Sequence, residues 1–147
     1  MYKHLLVPID GSELSAHAIE HSVGLARQLG ARVTGFVAEP LPPEPGDSTR
    51  PHLYPREAEH HLVTAEAHAR ALLAQFETAA AAAGVAFEGR FEFADDVDKA
   101  IVEAARQCGC DLLVMATRGR GAVSELLFGS HTKHVNALSK LPMLVLH

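Results

Sequence analysis

Hydrophobic positions in this chain fall into short unbroken runs separated by longer stretches of helical periodicity. The first run, residues 3–9 (KHLLVPI), is bounded by Asp10-Gly11. Continuous apolar character without alternation fits a strand covered on both faces of a parallel sheet. Ser12 then stands as a helix N-cap with Glu13 in the first turn; Ile19, Val23 and Ala26 recur at helical spacing, and Gly30 closes the helix. A second strand is expected from about Arg32 to Ala38, ending at Glu39-Pro40. Five prolines between Pro42 and Pro55 rule out a regular element there and predict a long exposed connection. From about Arg56 to Ala83 a long helix is expected, with Leu62, Ala65, Ala69, Leu72, Phe76 and Ala79 on one face and Gly84 at its end. Val85 to Phe93 alternates in part, as a third strand would. Asp95 or Asp96 caps a helix with the face Val97, Ile101, Ala104 and Cys108, and Gly109 stops it. Leu112 to Ala116 reads as a fourth strand, a last helix runs from about Gly129 to Ser139, and Met143 to Leu146 forms a final strand.

Five short strands alternating with helices predict an α/β fold: one doubly wound domain spanning residues 1–147, with a five-stranded parallel sheet in the order 3-2-1-4-5 flanked by four helices. Such sheets bind ligands beyond the carboxyl ends of their strands, where the strand order reverses. The loops at that place are Asp10-Gly11-Ser12, after strand one, and Thr117-Arg118-Gly119, after strand four.

The second of these loops carries the candidate chemistry. Thr117, Arg118, Gly119, Arg120 and Gly121 follow an apolar strand, and Gly129-Ser130 opens the last helix. Glycines let a backbone approach a ligand closely, and the free N–H groups and dipole of a helix start favour an anion. A phosphorylated small molecule is the implied ligand. The formal charge of −5 at pH 7 argues against a nucleic-acid partner, and no apolar run approaches a membrane span. Only Cys108 and Cys110 occur, too few for a disulfide scaffold, so a soluble cytoplasmic domain is expected. Neither a P-loop, G-x-x-x-x-G-K-[ST], nor a G-x-G-x-x-G after the first strand is present.

What stands instead is Gly119, nine residues, then Gly129-Ser130, together with Val7-Pro8-Ile9-Asp10-Gly11-Ser12 and a terminal L-P-M-L-V-L. In these features, and in the order of its elements, the chain resembles the universal stress proteins, small α/β domains that bind adenine nucleotides through a G-2x-G-9x-G-[ST] motif. Ala116 replaces the first glycine of that motif. An ordinary extended strand end there makes the added methyl group nearly harmless, whereas a positive φ, or direct contact of that backbone with the ribose, would cost about 1 kcal/mol or more. The resemblance implies ATP, accompanied by Mg2+, as the ligand. It places Asp10 near the ribose or phosphates and makes it an indirect ligand of the metal. It gives the backbone of Val37, at the end of strand two, a contact with adenine, on no other ground than the resemblance. Gly119, Gly129, Ser130, His131 and Thr132 would line the triphosphate. Arg118 and Arg120 would add positive charge, and Pro8, Ala116 and Thr117 would form the strand ends of the site.

Ten histidines raise a metal hypothesis, since His17/His21 and His131/His134 are spaced as helical pairs. No carboxylate or cysteine completes either set by spacing, so solvated side chains are expected. A redox role for Cys108 and Cys110 is not favoured, and no nucleophile–base pair can be read from spacing. Three functional classes follow: an ATP-dependent regulatory module with at most slow hydrolysis, a nucleotide-free interaction protein, and an enzyme acting on an adenine nucleotide. Met143–Leu146 would be an apolar sheet edge at the end of the chain, which predicts a homodimer through that strand.

Overall fold

The computed structural model describes residues 1–42, 55–117 and 130–147. Its elements are β1 (His4–Pro8), α1 (Glu13–Leu29), β2 (Arg32–Pro40), α2 (Pro55–Ala82), β3 (Phe87–Ala94), α3 (Val97–Cys108), β4 (Leu112–Ala116), α4 (Ser130–Leu138) and β5 (Met143–Leu146). All five strands are parallel and lie in the order β3-β2-β1-β4-β5. Much of the expected proline-rich connection lies outside the described residues.

Because side chains alternate across a strand, β1 and β4 feed two separate cores. Leu5, Val7, Leu112 and Val114 point to one face, where they pack with Ile19, Val23 and Ala26 of α1 and Ala69, Leu72 and Phe76 of α2. Leu6, Leu113 and Met115 point to the other, against Ile101, Ala104 and Ala105 of α3 and Val135 of α4. Covering both faces explains why these strands carry unbroken apolar runs. In the long helix the buried stripe passes through Ala69, Leu72, Phe76 and Ala80, with Ala79 only half-buried. The stripe advances by four residues at that point because 3.6 residues per turn do not divide evenly.

Helix ends follow their residues. Asp96 caps α3 by accepting a 3.1 Å bond from Lys99 N, and Gly109 closes the helix in the left-handed conformation at φ 67°. Ser12 occupies the N-cap position of α1, but its hydroxyl makes no cap bond. Its own N–H donates instead to Asp10 Oδ1, at 2.9 Å. At the opposite end of the sheet, Asp111 receives the N–H groups of Lys3 and His4, which fastens β1 to the start of β4.

Candidate functional site

β1 pairs with β2 from His4 through Pro8, yet its register with β4 covers only Leu5↔Leu112 and Leu6↔Leu113. β4 continues to Ala116 along β5, and β1 continues to Pro8 along β2. The two central strands therefore part company before their carboxyl ends. Their divergence coincides with the reversal of strand order, where doubly wound sheets take their ligands, and that place is the candidate crevice.

The first wall is the turn after β1. Pro8, half-buried, ends the strand, and Ile9 N donates to Phe36 O at 2.9 Å on the β2 side. Ser15, buried in the first turns of α1, gathers the loop: its Oγ accepts from Asp10 N at 3.0 Å and Gly11 N at 2.9 Å. The same hydroxyl donates to Asp10 Oδ1 at 3.1 Å. Burial pushes the Asp10 carboxyl upward, but hydrogen bonds from Ser12 and Ser15 outweigh it, and the net shift is below the usual carboxylate range. Asp10 thus stays anionic, exposed, with Oδ1 committed to the turn. Gly11 has φ +85°, and a Cβ there would stand 2.7 Å from His68 Cε1 of α2. Only glycine fits that conformation beneath that ring.

The second wall is the end of β4. Ala116 is the last residue of that strand and pairs with Leu146 in the ladder, so its backbone is extended. Alanine is unstrained there. Thr117 is buried and turned toward β5: its N–H donates to Leu146 O at 2.8 Å, and its Oγ1 lies 3.1 Å from His147 Nδ1. Ser130 and His131 open α4 as exposed residues, whereas Thr132 shares the buried face of that helix with Val135. Arg118, Arg120, Gly119 and Gly129 lie outside the described residues.

Val37 is fully buried in β2. Successive residues of a strand direct their N–H and C=O to alternate sides. Phe36 bonds toward β1, so Val37 directs its backbone groups to β3, opposite Phe91. Ala38 faces the β1 side again, two residues past the Phe36↔Pro8 pair where that ladder ends.

Sequence reasoning missed three polar residues. Ser15 is one; the D-G-S-x-x-S spacing offers a signal for it, because an aspartate that turns back on Ser12 N leaves its loop amides for the next hydroxyl in reach. His68 carries no signal, as its approach to Gly11 depends on how α2 lies across α1. Asp98 is the third. It sits one residue after Val97 among the apolar positions of α3, almost buried, and its two oxygens meet His131 Nδ1 at 2.7 Å and His134 Nδ1 at 2.8 Å. Those two histidines, expected to be solvated, are each bonded to this carboxylate.

An open, five-stranded parallel sheet in the order β3-β2-β1-β4-β5, with helices on both faces, defines a doubly wound α/β protein. The sequence matches the profile of the universal stress protein family over residues 1–147, and the chain belongs to that family. It is 32% identical over 147 residues to a universal stress protein of Thermus aquaticus, covering 99% of this chain and 98% of the relative. Among solved structures, a universal stress family protein from Burkholderia pseudomallei has the same fold, with a TM-score of 0.78 at 23% identity over 98% of this chain and 95% of that one. A universal stress protein in complex with cAMP superposes with a TM-score of 0.69 at 25% identity, over 99% and 97% of the two chains.

Proposed function

We propose that this protein binds an adenine nucleotide, ATP with Mg2+, in the crevice between β1 and β4 and acts as a nucleotide-dependent regulatory or interaction module. The observation that carries the reading is the early end of the β1–β4 ladder at Leu6↔Leu113, which opens the sheet beside an anionic Asp10 and an exposed Ser130-His131 helix start. Each part of a nucleotide finds matching chemistry there. The adenine edge meets the backbone N–H and C=O of Ala38, beside Val37. Ribose hydroxyls or a hydrated Mg2+ meet the second oxygen of Asp10. Phosphates meet the start of α4 and the basic glycine loop of Arg118 and Gly119. The cAMP held by a relative of similar fold supports an adenine nucleotide as the ligand class. Ala116, extended in β4, carries its methyl group without backbone strain, which supports the reading. Two copies would assemble through β5, the outer strand of the sheet.

The nucleotide-free interaction reading draws on Thr117, whose hydroxyl is engaged by the chain end and not directed to a ligand. Calorimetric titration with ATP and magnesium, repeated on Gly119→Ala and Ser130→Ala, decides between the two. Saturable binding that both variants weaken by about tenfold, a loss on the order of 1.4 kcal/mol, places the nucleotide at the loop and helix start. Folded, nucleotide-free protein that takes up neither ATP nor cAMP would establish the other reading.

A further inference from the structure

The cluster of Asp96, Asp98 and His134 is drawn from residues outside both walls of the crevice, while His131, at its edge, also opens the second wall. The cluster joins the first turn of α3 to the first turns of α4. One ligand-type atom from each of Asp96, Asp98 and His134 lies within 4.8 Å of the others. The Asp98 side chain is only 11% exposed, so its charge faces the two imidazoles with little water between them. Asp96 commits one oxygen, Oδ1, to the cap of α3 and keeps Oδ2 for another ligand.

We propose that these residues bind a divalent transition-metal ion of the zinc type. Asp98 Oδ2, His134 Nδ1 and an Asp96 oxygen are the three protein ligands, and water completes the sphere. The donors are chemically right: imidazole nitrogen with carboxylate oxygen suits zinc, cobalt or nickel, whereas magnesium and calcium prefer all-oxygen sites. They are also placed closely enough. Ligand bonds of about 2.0–2.2 Å require donors about 3.3–3.6 Å apart in a tetrahedron. The 2.8 Å contact between His134 Nδ1 and Asp98 Oδ2 reaches that spacing by opening several tenths of an ångström. The metal then takes the place of the hydrogen bond between that pair.

His131 has a different part. Its Nδ1 bonds Asp98 Oδ1, the oxygen turned away from the metal, so it is a positioning residue that orients the ligating carboxylate. Metal sites depend on such outer partners, whose loss weakens affinity by about 10–100-fold. Binding ties α3 to the helix whose first residues face the crevice, and this site exists whether or not a nucleotide binds there.

The test is a titration of the full chain, freed of metal by chelator, with Zn2+ in competition with a chromophoric chelator. A parallel titration with Co2+ is followed by visible absorption. Wild type is expected to bind one equivalent tighter than its other histidines allow, with a cobalt spectrum typical of nitrogen and oxygen ligands. His134→Gln, a half-exposed substitution that leaves the fold in place by circular dichroism, is expected to abolish that equivalent. His131→Gln is expected to weaken it by about tenfold while keeping the cobalt band, as an outer partner would. The double variant His17→Gln/His21→Gln, which removes the neighbouring imidazole pair on α1, should leave it intact. Stoichiometric zinc binding that survives His134→Gln, or folded wild type that takes up no zinc, overturns the assignment.

Discussion

His4 stands in the central strand with 4% of its surface exposed, its Nε2 2.7 Å from Thr34 Oγ1. Burial, reinforced by Arg32, lowers its pKa from the ordinary value despite the opposing pull of Asp111 and Glu88. The folded chain therefore holds this ring neutral, while the unfolded chain takes up a proton near about pH 6.5. A lowered histidine pKa means the unfolded state binds more protons at mildly acid pH. Its stabilising share is present in full above that value and is lost as the pH falls from there toward the folded pKa. Urea unfolding at roughly pH 7.5 and roughly pH 5.5 is expected to show wild type losing more stability than His4→Gln over the same interval, and equal losses would refute the argument. Residue-scale features of this kind are the least legible in sequence. Asp10 was evident because it ends an apolar run before a glycine. Asp98 was not, because the partners that give it meaning lie 33 and 36 residues further along the chain.

Elements were far easier to read. The parallel sheet follows from short strands, most of them apolar throughout and β3 alternating in part, separated by helices, a pattern few topologies satisfy. Boundaries moved by a residue or two where backbone bonding outruns side-chain pattern: β2 continues to Pro40 because β3 pairs with it that far. What sequence did not disclose is how closely α2 lies on the sheet. Gly35 of β2 faces that helix, and a Cβ added there would meet Phe76 Cδ1 at 2.8 Å and Phe87 Cε2 at 2.9 Å. The two rings pack against each other at a centroid distance of 4.8 Å, so neither can retreat without disturbing the other. Gly35→Ala is accordingly expected to lower stability by about 1–3 kcal/mol, the usual cost of overpacking, as measured by urea unfolding. A change below about 0.5 kcal/mol, the scale of an ordinary surface substitution, would show that the rings yield more easily than their packing suggests.

At the scale of the whole molecule, the two margins of the sheet differ. β3 is covered in part by α2, whereas β5 ends the sheet with Leu144 38% exposed and Met143, Val145 and Leu146 half-buried. An apolar margin with open backbone groups invites a strand from a second copy, and a two-fold axis lets both copies satisfy it together. The expected result is a dimer by sedimentation equilibrium and a monomer for Leu144→Arg. A wild-type monomer, or a variant that still pairs, would remove β5 from the interface.

β1 occupies the middle of the sheet, yet the carboxylate that fastens its first residues, Asp111, stands 107 and 108 positions later. On the ribosome, β1, β2 and β3 can associate early, but one flank of β1 must wait until β4 has left the exit tunnel. Through that interval the face bearing Leu6 and Phe36 lacks the second half of its core, and the open flank is a template for any passing strand. The last third of the chain, which contributes β4, α4 and β5, is thus what ends the vulnerability of a nascent chain to aggregation.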